Sequence, residues 1–285
     1  MGTVAIIGIG LIGGSYGLAI RARGLAERVI GCARRRTTLD AALALGAADA
    51  VTSSVSEACR DADLVILAAP PEAIVEHLPS VGDSAPEDAI VTDAGSVKRV
   101  IVDAVQQLLK CPERFVGGHP MAGSERSGIE HASADLYCGA TYLLTPTERT
   151  APEALATVSA LAEALGARVR VMSPDEHDQA VAAASHVPHL AAAALARAVI
   201  DAPGAREVHG PGLRDTTRVA AGDAVTWRQI LLANAGSVEG PLRALADEIA
   251  TIREALSAKD AESVEKWLRQ AAELRLGLDR DGGDA

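Results

Sequence analysis

A chain of 285 residues, 48% of them hydrophobic, can bury one large or two medium cores, and two domains are expected. Its net charge of −11 argues against nucleic acid or an anionic membrane as a partner, so an anionic substrate would need a locally positive pocket. Aromatic residues make up only 2% and call for an aliphatic core, and the widely spaced Cys32, Cys59, Cys111 and Cys138 form no C-x-x-C, which sets zinc and thioredoxin-like chemistry aside and favours a reducing cytoplasm. The N-terminus has no basic leader and no apolar run reaches the ~18 residues of a membrane span, so neither export nor membrane insertion is expected.

In chain order, Thr3 to Ile7 is a mostly β-branched run that reads as an inner parallel strand and leads directly into Gly8-Ile-Gly-Leu-Ile-Gly13 and a helix reaching about Arg23. In that context Gly8 permits the turn, Gly10 lets backbone N–H groups approach a pyrophosphate, and Gly13 lets the helix pack close to the strand. Leu11 and Ile12, between them, belong to the same cofactor-binding loop. A second strand spans Arg28 to Ala33. An NAD site usually ends that strand in Asp or Glu, but here Ala33 is followed by Arg34, Arg35 and Arg36, which can surround a 2′-phosphate; NADP is the expected cofactor, with NAD possible. A solvated basic turn is the other reading of the same run.

Apolar runs at Leu64 to Leu67 and Ala89 to Thr92 alternate with helices near Thr38 to Leu45 and Lys98 to Leu109, the rhythm of βαβ units. Ala69 and Pro70 follow one strand at the edge that carries the glycine loop and are expected to line the nicotinamide side. Ser96, in Asp93-Ala-Gly-Ser-Val-Lys98, comes to the same edge; a helix cap is its other possible role. His119 lies in the Gly-rich stretch from Phe115 to Glu125, read as a loop, and is a candidate general base because an unperturbed imidazole is largely neutral near pH 7. The alternative is a histidine that only hydrogen-bonds its own loop. Later strands are expected at Thr141 to Leu144 and Arg168 to Met172, around a helix from Pro152 to Leu165.

Ser173-Pro-Asp-Glu176 combines a cap, a first-turn proline and an acid, a strong helix start at which the domain boundary is placed. The fold class is therefore α/β: a Rossmann-type N-terminal domain with a largely parallel sheet over residues 1–172, then an all-α C-terminal domain over residues 173–285. Pro188 should kink or open the first long helix, and breaks are expected at Pro203-Gly204 and Gly210-Pro-Gly212. His186 and His189 are three apart but lack a third ligand at a familiar spacing, so no metal is expected. Arg214 and Arg218 lie one turn apart if that segment is helical, a spacing suited to gripping a carboxylate; exposed arginines beside Asp215 are the alternative.

Five motifs in order, Gly8-Ile-Gly-Leu-Ile-Gly-Gly-Ser15, Asp93-Ala-Gly-Ser-Val-Lys98, Gly117-Gly-His-Pro-Met-Ala-Gly-Ser124, Ser185-His-Val-Pro-His189 and Arg214-Asp-Thr-Thr-Arg218, resemble the prephenate/arogenate dehydrogenase family of tyrosine biosynthesis. The resemblance implies oxidative decarboxylation of prephenate or arogenate with hydride transfer to the dinucleotide. It makes His119 the catalytic base, Ser96 the group that orients base and nicotinamide, and Arg218 the partner of the side-chain carboxylate. Ser124, Ser185, His189 and Arg214 match pocket positions, and Trp227 matches one that can reach a neighbouring subunit's site. It also implies a homodimer joined mainly through the helical domain. No chorismate mutase segment precedes the matching region and no regulatory domain follows it, so any tyrosine inhibition is expected at the active site. A different hydroxyacid dehydrogenase and a non-catalytic NADP-binding sensor are the two rival readings.

Overall fold

The computed structural model describes residues 1–124 and 126–281. Its first compact unit runs from Met1 to Ala235 and its second begins at Gly236. In the first, eight strands form one sheet in the order β3-β2-β1-β4-β5-β6-β7-β8. They are β1 (Thr3–Ile7), β2 (Arg28–Cys32), β3 (Ala50–Thr52), β4 (Leu64–Leu67), β5 (Ile90–Asp93), β6 (Phe115–Pro120), β7 (Thr141–Thr145) and β8 (Arg168–Val171). Each pairing is parallel except β6 with β7.

The helices of the sheet region are α1 (Leu11–Ala22), α2 (Arg36–Ala44), α3 (Val55–Cys59), α4 (Pro71–Ser84), α5 (Arg99–Leu108) and α6 (Pro152–Ala164). Alternation along β1 explains their two-sided arrangement. Val4 and Ile6 face a core shared with α1, α2 and α6, whereas Ala5 and Ile7 face a second core built with α3, α4 and α5. All four are essentially buried, as an inner parallel strand covered on both faces requires. Burial of Val4, Ile6 and Ile7 contributes roughly 1.5–3 kcal/mol each.

From Pro174 onward the described chain is helical: α7 (Pro174–Val181), a π-helical turn (Ala182–His186), α8 (Val187–Val199), α9 (Ala205–Val208), α10 (Pro211–Thr217), a 3₁₀ turn (Arg218–Ala221) and α11 (Ala224–Ala233). α7 opens with the expected capping box, in which Ser173 accepts from the Glu176 amide and the Glu176 carboxylate accepts from the Ser173 amide at 2.8 Å. The π turn lies immediately before Pro188, whose missing N–H and bulky ring prevent regular α-helical bonding there. The change from sheet to helix falls near residue 172, while the compact units part later, because α7 packs on α5 and α11 on α4.

The second unit holds α12 (Ala235–Ala258) from its second residue onward and α13 (Ala261–Asp281). The Trp267 indole N–H donates to Glu248 at 2.7 Å, while Ile249, Leu256, Leu268 and Leu274 remain exposed. No described helix is long and apolar enough to cross a membrane.

Candidate active site

Strand order reverses between β1 and β4, and in open sheets of this kind ligands bind outside the carboxyl ends of the strands at such a point. Gly8 turns the chain with φ +98°, and a Cβ on it would lie 2.4 Å from the Ala68 carbonyl oxygen. The glycine loop and the segment containing half-buried Ala69 and exposed Pro70 are thus adjacent, as expected. A Cβ on Gly13 would come within 2.2 Å of the Gly8 carbonyl oxygen, whereas one on Gly10 would enter open space. α1 starts at Leu11 with no side-chain cap, so the first-turn amides of Leu11, Ile12 and Gly13 face that opening. An open cradle lined by uncapped helix amides fits a pyrophosphate.

Arg34 and Arg35 are exposed at the end of β2, at the start of α2. Arg36 is already engaged, its Nε lying 2.9 Å from Asp40 one turn on.

Ser96 is half-buried in the loop after β5. It does not cap α5: the Asp178 carboxylate accepts the Lys98 amide at 2.8 Å and the Arg99 amide at 2.9 Å, so the capping reading of Ser96 is corrected by a carboxylate from α7.

His119 is not on a loop. It is the fifth residue of β6, opposite Leu143 of β7, because the glycines before it let β6 lie close against both neighbours. A Cβ on Gly117 would meet the Thr145 hydroxyl at 2.3 Å, and one on Gly118 the Asp93 carbonyl oxygen at 2.6 Å. Nor does the imidazole bond its own loop. Its Nδ1 is 2.9 Å from His177 Nε2, and His177 Nδ1 is 2.8 Å from Asp178 Oδ1. Burial, then the nearby His177, Lys98 and His186, holds the His119 pKa well below the usual histidine range.

Beneath β6, fully buried Lys98 pairs with Asp93 and donates to the Gly118 carbonyl at 2.7 Å, while Asp93 Oδ1 accepts the Gly118 amide at 3.0 Å. Burial lowers the Lys98 pKa and Asp93 opposes the shift. Burial also works to raise the Asp178 carboxyl, yet bonds from His177 and from the Arg99 and Lys98 amides take it below its ordinary value.

On the helical side, the His189 ring stacks on Trp227 with centroids 3.5 Å apart and 12° between planes. Trp227 therefore lies on its own chain's His189. His186 meets the same indole edge-on at 6.1 Å, and burial pushes its pKa down to about 4. His186 Nε2 and His189 Nδ1 are buried without a hydrogen-bond partner among the described residues. Ser185 is half-buried in the π turn, and exposed Ser124 accepts the Arg126 amide at 3.2 Å. Arg214 and Arg218 do not share one α-helix: α10 ends at Thr217, Arg218 opens the 3₁₀ turn packed on α8, and both are exposed.

His177, Asp178, Lys98 and Asn234 were not singled out by sequence. A signal existed for two of them: counting from the capping box, His177 and Asp178 share a helical face with buried Val181 and Ala182, and a His-Asp pair on a buried stripe needs a partner.

Residues 16–171 match the family model described as prephenate dehydrogenase, nucleotide-binding domain, and residues 173–270 the one described as prephenate dehydrogenase, dimerization domain. The chain belongs to the prephenate dehydrogenase family. It is 35% identical to a prephenate dehydrogenase of Bacillus subtilis over 97% of this chain and 76% of that one. Two crystal structures are similar throughout. The prephenate dehydrogenase from A. aeolicus in complex with hydroxyphenyl propionate and NAD+ has a TM-score of 0.90 and 32% identity, covering 98% of each chain. The Synechocystis arogenate dehydrogenase has a TM-score of 0.80 and 30% identity, covering 97% of this chain and 99% of that one. Membership makes this protein an oxidoreductase with a nucleotide-binding domain.

Proposed function

We propose that this enzyme oxidatively decarboxylates prephenate to 4-hydroxyphenylpyruvate, with NADP as hydride acceptor. The observation that carries the reading is a buried imidazole, His119, at the same sheet edge as the open Gly10 cradle. The nicotinamide supplies an acceptor for the hydride leaving C4 of the substrate ring. His119 removes the proton of the C4 hydroxyl as that hydride departs, the ring carboxylate leaves as carbon dioxide with its bonding electrons kept by the ring, and the aromatic phenolate so formed takes the proton back to give the 4-hydroxyl. Burial serves this role by keeping the base neutral. Ser96 orients base and nicotinamide, and Ala69 and Pro70 line the nicotinamide side. Arg218 holds the side-chain carboxylate, with Arg214, Ser124, Ser185 and His189 lining the pocket and Trp227 stacked against it.

Arg34 and Arg35 support NADP, since both are exposed where a ribose 2′-phosphate would lie. Arogenate is the second substrate reading, favoured by the similarity to the Synechocystis enzyme. The protein is proposed to act as a homodimer through the region that matches the dimerization domain, which includes the exposed apolar Ile249 and Leu256 of α12 and Leu268 of α13. Four free cysteines suit the reducing cytoplasm proposed for it. Initial rates at the reduced-nicotinamide absorbance band, with prephenate and arogenate each crossed against NADP and NAD, test the assignment. Turnover of neither substrate overturns it; a preference for arogenate or NAD corrects that part alone.

A further inference from the structure

His177 and Asp178 lie outside the set of side chains assigned to substrate or cofactor, yet both are buried and both are wired to His119. We infer that they are positioning residues which lock His119 in the one tautomer able to accept a proton from the substrate. The inference rests on the reading of His119 as the base.

The argument is a count of protons. An ionised carboxylate only accepts hydrogen bonds, and that of Asp178 already accepts the Lys98 and Arg99 amides. His177 Nδ1, 2.8 Å from Asp178 Oδ1, must therefore carry a hydrogen and donate it. A neutral imidazole has one N–H, so His177 Nε2 is left with a lone pair. His119 Nδ1 faces that lone pair at 2.9 Å and must be the donor. Neutral His119 then has its own lone pair at Nε2, the nitrogen turned away from the relay. The opposite tautomer would set two lone pairs against each other inside the protein. When His119 Nε2 takes up a proton, Nδ1 remains a donor and its bond to His177 becomes charge-assisted.

The relay is held from both ends. Asn234 on the C-terminal side of α11 donates to the Asp178 carbonyl at 2.7 Å, and the capping box fixes the start of α7. On the sheet side Lys98 grips the Gly118 carbonyl, one residue before the base. The titratable groups facing the two imidazoles are Lys98 and Asp93 from beneath β6, Asp178 from α7 and His186 from the π turn. Of these, only Asp178 bonds His177 and can set its proton.

The test is ¹⁵N NMR of the histidine side chains in the full-length enzyme at mildly alkaline pH, with kinetics on two variants. The wild-type protein should show His119 protonated at Nδ1. In His177→Gln the side-chain carbonyl can still accept from His119, so the tautomer and most of kcat should persist. His177→Leu offers no acceptor; a mixture of His119 tautomers is expected, with kcat down about ten- to a hundredfold and little change in KM or cofactor affinity. That loss is smaller than the ~10⁴ seen where a serine-protease histidine is forced into the wrong tautomer, because leucine leaves the ring free to choose. Finding wild-type His119 protonated at Nε2 overturns the inference without any variant, and so do equal losses in the Gln and Leu variants with an unchanged tautomer. Full activity of His119→Asn would instead remove the base reading, while the wild-type spectrum would still decide the lock.

Discussion

Lys98 donates its backbone N–H to Asp178 Oδ1 at 2.8 Å while its side chain runs the other way, under β6, to Asp93 and the Gly118 carbonyl. One residue thereby ties the helix that carries His177 to the strand that carries His119. Lys98→Met would leave the Asp93 carboxylate buried beside the Gly95 and Gly118 amides but without its cation. Breaking a buried pair from one side costs about 3–5 kcal/mol, and the two amides place this case near the lower figure. A marked fall in the urea midpoint is expected, partly recovered by adding Asp93→Asn; an unchanged midpoint would mean the pair contributes nothing to stability.

For His119→Asn, the side-chain amide can keep a donor toward His177 while the basic nitrogen is lost. kcat should fall by about 10²–10⁴, with cofactor affinity unchanged, as removal of a general base predicts. Retention of wild-type kcat would take His119 out of the chemistry.

The pH profile follows from the depressed pKa of the same group. A base works deprotonated, and burial moves the His119 pKa well below 6.5, so kcat/KM should rise with pH through a limb on the acid side of an ordinary histidine and be level near neutrality. Lys98 contributes to that depression, so the limb should move toward higher pH in whatever folded fraction of Lys98→Met can be assayed. A limb centred above 6.5 in the wild-type enzyme would contradict the assignment.

Two glycines of one loop should respond oppositely. In Gly10→Ala the added methyl meets no protein atom but stands where a pyrophosphate would approach, so cofactor Kd should rise by about tenfold, ~1.4 kcal/mol, with Tm unchanged. In Gly13→Ala the methyl would lie 2.2 Å from the Gly8 carbonyl oxygen, and overpacking of about 1–3 kcal/mol should lower Tm. Thermal melts and cofactor titrations of both variants check the contrast; similar effects on Tm would refute it.

Cofactor choice should reside in Arg34 and Arg35 more than in Arg36, which is bound to Asp40. Replacing Arg34 and Arg35 together by alanine removes charge-assisted contacts worth about 1.5–3 kcal/mol each, so kcat/KM for NADP should drop at least tenfold while that for NAD stays level. An equal drop for both cofactors would show that neither arginine reads the 2′-phosphate.

Short-range features were legible in the chain itself. The strand, glycine turn and helix of residues 3–22 and the Ser173–Glu176 capping box are set by contacts a few residues apart, and the π turn before Pro188 follows from one missing N–H. The five ordered motifs likewise pointed to the family that the full-length comparisons establish. What the sequence left open depended on partners far along the chain. His119 read as a lone histidine on a loop, and became a strand residue only because β7 supplies its antiparallel partner. His177 is 58 residues from His119, and Asp178 is 80 from the Lys98 amide it caps. Local propensity carries no information about a hydrogen bond closed over such distances. The fold class and cofactor turn were therefore written in local pattern, whereas the environment of the base was decided by which helix the folded chain brought within reach of His119.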